Sequence, residues 1–141
     1  MIAAQDTQAT TGGVTRVPSF DLESGALLHD VEIAHSVFGD AAAPAILVLG
    51  GISAGRHLLP HDAHAHSGWW PGIIGAGRAL DPAAYRLVGI DYLGGRGSSR
   101  CSDDIGAATS PAIRTTDHAR LILAALDDLG IESVHAIVGA S

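Results

Sequence analysis

Basic charge is scarce in this sequence: eight Lys and Arg residues stand against fifteen Asp and Glu, a formal net charge of −7. Such a balance offers no basic face to a phosphate backbone and no polybasic patch to an anionic membrane, so neither nucleic acid nor a membrane is an expected partner. No stretch approaches the roughly 18 apolar residues of a membrane span. The opening Met1-Ile2-Ala3-Ala4-Gln5-Asp6 has neither a basic n-region nor an apolar h-region, so no secretory signal is read there and the cytoplasm is the expected compartment. The single cysteine, Cys101, excludes an internal disulfide, and with no motif around it the thiol reads as incidental. Internal repeats and low-complexity blocks are missing too. What is present is 141 residues with 47% hydrophobic and 16% charged content, enough for one ordinary domain with a sizeable core.

Residues 1–16 are polar and Thr-rich and read as a flexible lead-in, with the folded domain expected over 17–141. Val31, Ile33 and Val37 follow a period of two and predict a half-buried antiparallel strand over 31–38, closed by Gly39-Asp40. Ala45-Ile46-Leu47-Val48-Leu49 is apolar on both faces and runs into Gly50-Gly51, as a buried strand opening into a loop does. Arg86-Leu87-Val88-Gly89-Ile90 predicts a second such strand, with Asp81-Pro82 as the turn before it. Ala119, Ile122, Leu126 and Leu129, widened by Leu121, Leu123 and Ala125, mark one face of a helix over 115–129. Thr115, Thr116 or Asp117 can cap its start, and Gly130 ends it in the left-handed region. Residues 133–138 form a last apolar, β-branched run. This alternation implies an α/β fold with a mostly parallel sheet and helices on its faces.

That last strand runs into Gly139-Ala140-Ser141, the front half of a G-x-S-x-G nucleophile elbow, in which a sharp turn lifts a serine hydroxyl above the sheet edge. A bare G-x-S is a weak signal. A longer and more unusual pattern precedes it: Gly50-Gly51-Ile52-Ser53, then Gly68-Trp69-Trp70, Gly72-Ile73-Ile74-Gly75, Ala79-Leu80-Asp81 and Tyr85, then Asp91-Tyr92-Leu93-Gly94-Gly95 with Gly97-Ser98. Together with Ser141, these residues resemble the homoserine O-acyltransferases of methionine biosynthesis, members of the α/β-hydrolase fold, over roughly residues 30–141. Many members carry a His-Ala-Leu-Thr-Gly-like loop where this chain has Gly50-Gly51-Ile52-Ser53-Ala54, a departure in the loop that borders the acyl pocket.

The resemblance implies the N-terminal half of an α/β-hydrolase domain, interrupted at the elbow. It implies that Ser141 attacks an acyl-CoA thioester, that an acyl-enzyme forms, and that the hydroxyl of homoserine takes the acyl group. The backbone N–H of Ile52 and that of the residue after Ser141 would hold the oxyanion. Gly51, Ser53, Leu93, Gly94, Gly95 and Arg96 would border the substrate, and no cofactor or metal beyond acyl-CoA as substrate is implied. The Asp and His of the triad are expected in a C-terminal remainder of the protein, and the enzyme as a homodimer; the 141 residues alone are expected to be inactive. Acetyl-CoA is the favoured donor, with succinyl-CoA the alternative.

Other readings compete. A serine esterase of the same fold differs only in releasing the acyl group to water. His57, His61, Asp62, His64 and His66 crowd ten residues and suggest metal binding by a non-enzymatic interaction domain, but the order lacks a helical i, i+4 pair and reads better as a solvated loop. Trp69 and Trp70 read as packing residues ahead of a water-excluding wall. Arg96 and Arg100 read as solvated cations ahead of phosphate or carboxylate ligands. His35, His118 and His135 precede the elbow and read as structural, because in this fold the triad His follows the nucleophile.

Overall fold

A computed structural model describes residues 10–51, 53–60 and 68–141. Five strands and one helix follow in the order β1 (Thr10–Asp21), β2 (Leu27–Phe38), β3 (Ala45–Leu49), β4 (Arg86–Ile90), α1 (Thr115–Asp128) and β5 (Ala136–Gly139). They build one sheet in the order β1-β2-β4-β3-β5. β4, β3 and β5 run parallel, Leu47 pairing with Val88 on one side and Ile137 on the other. β2 joins β4 antiparallel with Val37 opposite Val88, and β1 pairs antiparallel with β2 from Thr10–Phe38 to Asp21–Leu27. The mostly parallel sheet expected from the α/β alternation is thus mixed, parallel on the side of β5 and antiparallel on the side of the hairpin.

The hairpin is the largest departure from the sequence reading. Residues 10–16, expected as part of a flexible lead-in, form the first half of β1. Their Thr-Gly composition masks a strand whose only deeply buried position in that half is Thr15, and whose order comes from the ladder to β2. The turn between the strands places Gly25 at φ +93°, where a side chain would be strained, and the Gly25 N–H donates to the Leu22 carbonyl at 2.8 Å. β2 itself is buried throughout its second half, because it lies inside the sheet and is covered on both faces; the expected half-burial does not hold there.

Alternation along the strands sorts the core into two layers. Val31, Ile33, Val37, Leu47, Val88 and Ile90 face α1, meeting Leu121, Ile122, Ala125 and Leu126. Phe38, Ile46, Val48 and Leu87 face the long segment between β3 and β4, meeting Leu58, Ile74 and Leu80. Each large side chain so buried contributes about 1.5–3 kcal/mol. The helix starts at Thr115 as expected, but its cap acts from inside: Asp117 is fully buried and accepts the backbone N–H groups of Arg114 and Glu23, both at 2.9 Å. Burial pushes the Asp117 carboxyl up, and those two N–H groups outweigh it and hold the group below its ordinary value. At the other end Gly130 sits at φ +70°, its N–H donating to Asp127 and that of Ile131 to Leu126, a Schellman stop closed by the buried Leu126 and Ile131. Leu123 and Ala119, counted on the apolar face from their spacing, are exposed. The last strand is shorter than expected, 136–139 in place of 133–138, because Ile131 must first bury itself against α1.

Candidate active site

The three parallel strands end on one side of the sheet, and the segments that leave them meet there. Beyond β5 the Ala140 N–H still donates to the Leu49 carbonyl at 3.1 Å, which carries the chain one residue past the ladder to Ser141. The loop after β3 comes close to it: a Cβ built on Gly51 would stand 3.3 Å from Ser141 Oγ. A glycine there lets the backbone approach the hydroxyl closely. Gly50 is also forced, since a Cβ on it would meet Ala54 Cβ at 2.2 Å and the Trp69 ring at 2.9 Å.

Beside this loop lies an open cavity of about 540 Å³ between the ends of β3 and β4 and the first turns of α1. Gly51, Leu93, Gly94, Gly95 and Arg96, taken from the sequence as bordering the substrate, all line it. Leu93 is 3% exposed and belongs chiefly to the core under α1. Ser53 lies elsewhere, on a second cleft of about 370 Å³ that Arg96 shares and that His57 and Trp69 complete. Ile52, the expected oxyanion donor, lies outside the described residues, as do His61, Asp62, His64 and His66. Among the described residues no three His, Cys, Asp or Glu side chains converge as a metal site would need. Trp69 and Trp70 stack at 5.4 Å and pack on the core layer below β3, with Trp69 Nε1 donating to the Gly55 carbonyl at 3.0 Å, in keeping with the packing reading.

The geometry brings forward three residues that the sequence offered only as pattern members, Asp91 and Tyr92, or as structural, His118. Tyr92 donates its hydroxyl to the Gly50 carbonyl at 3.1 Å, and His118 meets the Tyr92 ring edge-on at 5.4 Å across the cavity wall. Burial raises the Tyr92 hydroxyl and lowers the His118 imidazole, the latter against the pull of Asp117, so both favour their neutral forms. Asp91, 3% exposed, ends β4 with its carboxylate accepting the Arg56 N–H, Arg56 Nε and the Ser98 N–H. Gly55 and Gly97 leave it room, since a Cβ on Gly97 would fall 2.2 Å from Asp91 Cγ. Cys101 is half-buried near Asp103; burial pushes its thiol up, consistent with an unreactive side chain.

A mixed sheet ordered 1-2-4-3-5, with Ser141 just beyond its fifth strand, is that of the α/β-hydrolase fold. The solved structures agree: homoserine O-acetyltransferase from Bacillus anthracis superposes with a TM-score of 0.79 at 24% identity, covering 95% of this chain and 40% of that one. Esterase E22 does so with a TM-score of 0.76 at 22% identity, covering 94% and 41%. In sequence the chain is homologous to the homoserine O-acyltransferases, the family whose pattern it carries. It is 41% identical over 112 residues to homoserine O-succinyltransferase of Xanthomonas campestris, covering 79% of this chain and 28% of that protein. It is 36% identical over 145 residues to homoserine O-acetyltransferase of Corynebacterium diphtheriae, covering 94% and 36%. Serine O-succinyltransferase of Stenotrophomonas maltophilia follows at 31% over 132 residues, covering 86% and 36%. The chain thus spans about a third of the length of these relatives. No protein-family model matches it.

Proposed function

We propose that the chain carries the nucleophile and one side of the oxyanion hole of an enzyme that moves an acyl group from acyl-CoA to the γ-hydroxyl of L-homoserine. The observation that carries this reading is Ser141 Oγ standing against Gly51, a residue that lines the cavity. Ser141 Oγ attacks the thioester carbonyl, an Oγ–acyl bond forms, the C–S bond breaks, and coenzyme A leaves as its thiol with the serine proton. The homoserine hydroxyl then attacks the ester, yielding O-acylhomoserine and returning a proton to Ser141. Backbone N–H groups of the loop after β3, Ile52 foremost, stabilise the tetrahedral oxyanions. The base and the carboxylate that orients it are assigned to the part of the protein outside these 141 residues, in line with the share of the relatives that the chain spans. No coenzyme other than the acyl-CoA substrate enters the scheme.

Acetyl-CoA is the proposed donor and homoserine the acceptor. A relative named for succinyl transfer to serine makes the acceptor the sharper question of the two. Among the described residues no helix is long and apolar enough to cross a membrane. The test is the mass of the Ser141 peptide in the full-length protein after incubation with acetyl-CoA or succinyl-CoA, without acceptor. One added acyl group names the donor. Adding homoserine or serine then names the acceptor, and an acyl-enzyme that decays to free acid at the same rate with either would make the protein an esterase. Lack of modification by both donors would overturn the reading.

A further inference from the structure

We infer that Asp91 and Tyr92, adjacent at the end of β4, are positioning residues that grip the loop from Gly50 to Arg56 at its two ends and thereby set its backbone against Ser141. The inference deepens the proposed function and rests on Ser141 being its nucleophile. Tyr92 takes the first residue of the loop, its hydroxyl donating to the Gly50 carbonyl at 3.1 Å. Asp91 takes the last one twice: Oδ1 accepts the Arg56 N–H at 2.8 Å and Oδ2 accepts Arg56 Nε at 3.1 Å. Oδ2 also accepts the Ser98 N–H at 2.9 Å, and the Asp91 carbonyl accepts Ser99 Oγ at 2.6 Å, so the same residue ties in the loop after β4. Between the two grips lies Gly51, the residue beside Ser141 Oγ.

The backbone is shaped to fit this arrangement. Gly55 and Gly97 leave room for the carboxylate, a Cβ on either coming within 2.6 Å of Asp91 Oδ1. Gly89 leaves room for the loop to cross the strand, since a Cβ there would stand 2.5 Å from the Arg56 carbonyl oxygen. The Asp91 side chain contributes nothing to sheet pairing: β4 is held by its backbone ladders to β2 and β3, and the Asp91 N–H donates to the Ala34 carbonyl. Losing the carboxylate therefore releases two loops while the sheet stays paired. Charge-assisted hydrogen bonds at a site 3% exposed are strong enough to fix a loop, and an oxyanion donor must be fixed before the charge develops.

Asp91→Asn exchanges one acceptor oxygen for an amide donor, which must then face either the Arg56 N–H or the pair formed by Arg56 Nε and the Ser98 N–H. In the full-length protein, with active sites counted by a fluorophosphonate, kcat is expected to fall about 10- to 100-fold while KM for acyl-CoA stays within about 3-fold, the signature of a misplaced transition-state contact. Tyr92→Phe removes one hydroxyl and is expected to lower kcat by roughly 3- to 10-fold with the same split; the double variant should lose less than the product, since both act on one loop. Thr15→Val, on β1 at the opposite edge of the sheet, is the structural control and lowers melting temperature while leaving kcat per site unchanged. The inference is overturned if Asp91→Asn and Tyr92→Phe keep wild-type kcat per site, as the control does, or if KM rises as much as kcat falls. If Asp91→Asn does not fold, Tyr92→Phe decides alone. If the wild-type protein transfers no acyl group, the proposed function fails separately, and the clamp is read from the fluorophosphonate labelling rate of Ser141, expected to fall in both variants and overturning the inference if it does not.

Discussion

The two ends of the sheet are built on opposite terms. At one end the β1–β2 hairpin and α1 close on each other through large apolar side chains, with Leu28, Val31, Ile33 and Leu121 at most 1% exposed. At the other, the loops that follow β3 and β4 are glycine-rich and held by a carboxylate, a phenol and backbone groups. Apolar packing is tolerant of direction and supplies most of the stability; hydrogen bonds to backbone are directional and fix atoms in place. The molecule thus separates what holds it together from what positions its serine.

The sharpest way to test that separation is to strike each end singly. Ser141→Ala should abolish acyl transfer, with a loss of about 10³-fold or more, and leave the melting temperature almost unchanged, since it removes one hydroxyl and no apolar packing. Leu121→Ala should do the reverse. It empties a site 1% exposed between α1 and the sheet and should cost about 2–5 kcal/mol in urea unfolding, with kcat per folded molecule preserved. A Ser141→Ala protein that melted far below wild type, or a Leu121→Ala protein that folded fully yet turned over slowly, would break the comparison.

A glycine at the functional end sharpens it. Gly97→Ala places a Cβ 2.2 Å from Asp91 Cγ, so the carboxylate must give way. The expected result is a kcat lowered by roughly 10-fold with little change in urea midpoint, read from steady-state kinetics and unfolding on the same sample. The same end shows why the sequence was only partly legible. Strands β3 and β4 and helix α1 stood out because an apolar run or a 3.6-residue stripe is a local signal, and their bounds held to within a residue. β1 did not, because Thr and Gly form a strand only where a partner such as β2 supplies the ladder. Asp91 was legible as the end of a strand, but its partners come from residues 35 positions before it and 7 after, and such a meeting is a property of the fold alone.

The smallest effect expected is a pH dependence of stability set by two histidines, His35 on β2 and His118 on α1 at the cavity wall. His35 lies buried on β2 with its ring nitrogen Nε2 at 3.2 Å from Thr15 Oγ1, and Nδ1 has no hydrogen-bond partner. Burial lowers its pKa and Arg56 adds to that, while Asp128 pulls the other way. His118 is lowered by burial as well. A histidine whose pKa is depressed on folding binds its proton more readily in the unfolded chain, so stability is complete above the unfolded value near 6.5 and drains away as pH falls from there through the folded value. Melting temperature should therefore decline between about pH 7 and pH 5. His35→Gln should flatten that decline in part, and His118→Gln should remove a further share. A profile as steep in the double variant as in the wild type would move the acid sensitivity off these histidines and onto the carboxylates, among which Asp117 is already held low by the N–H groups that cap α1 and loses its contribution only at more acid pH.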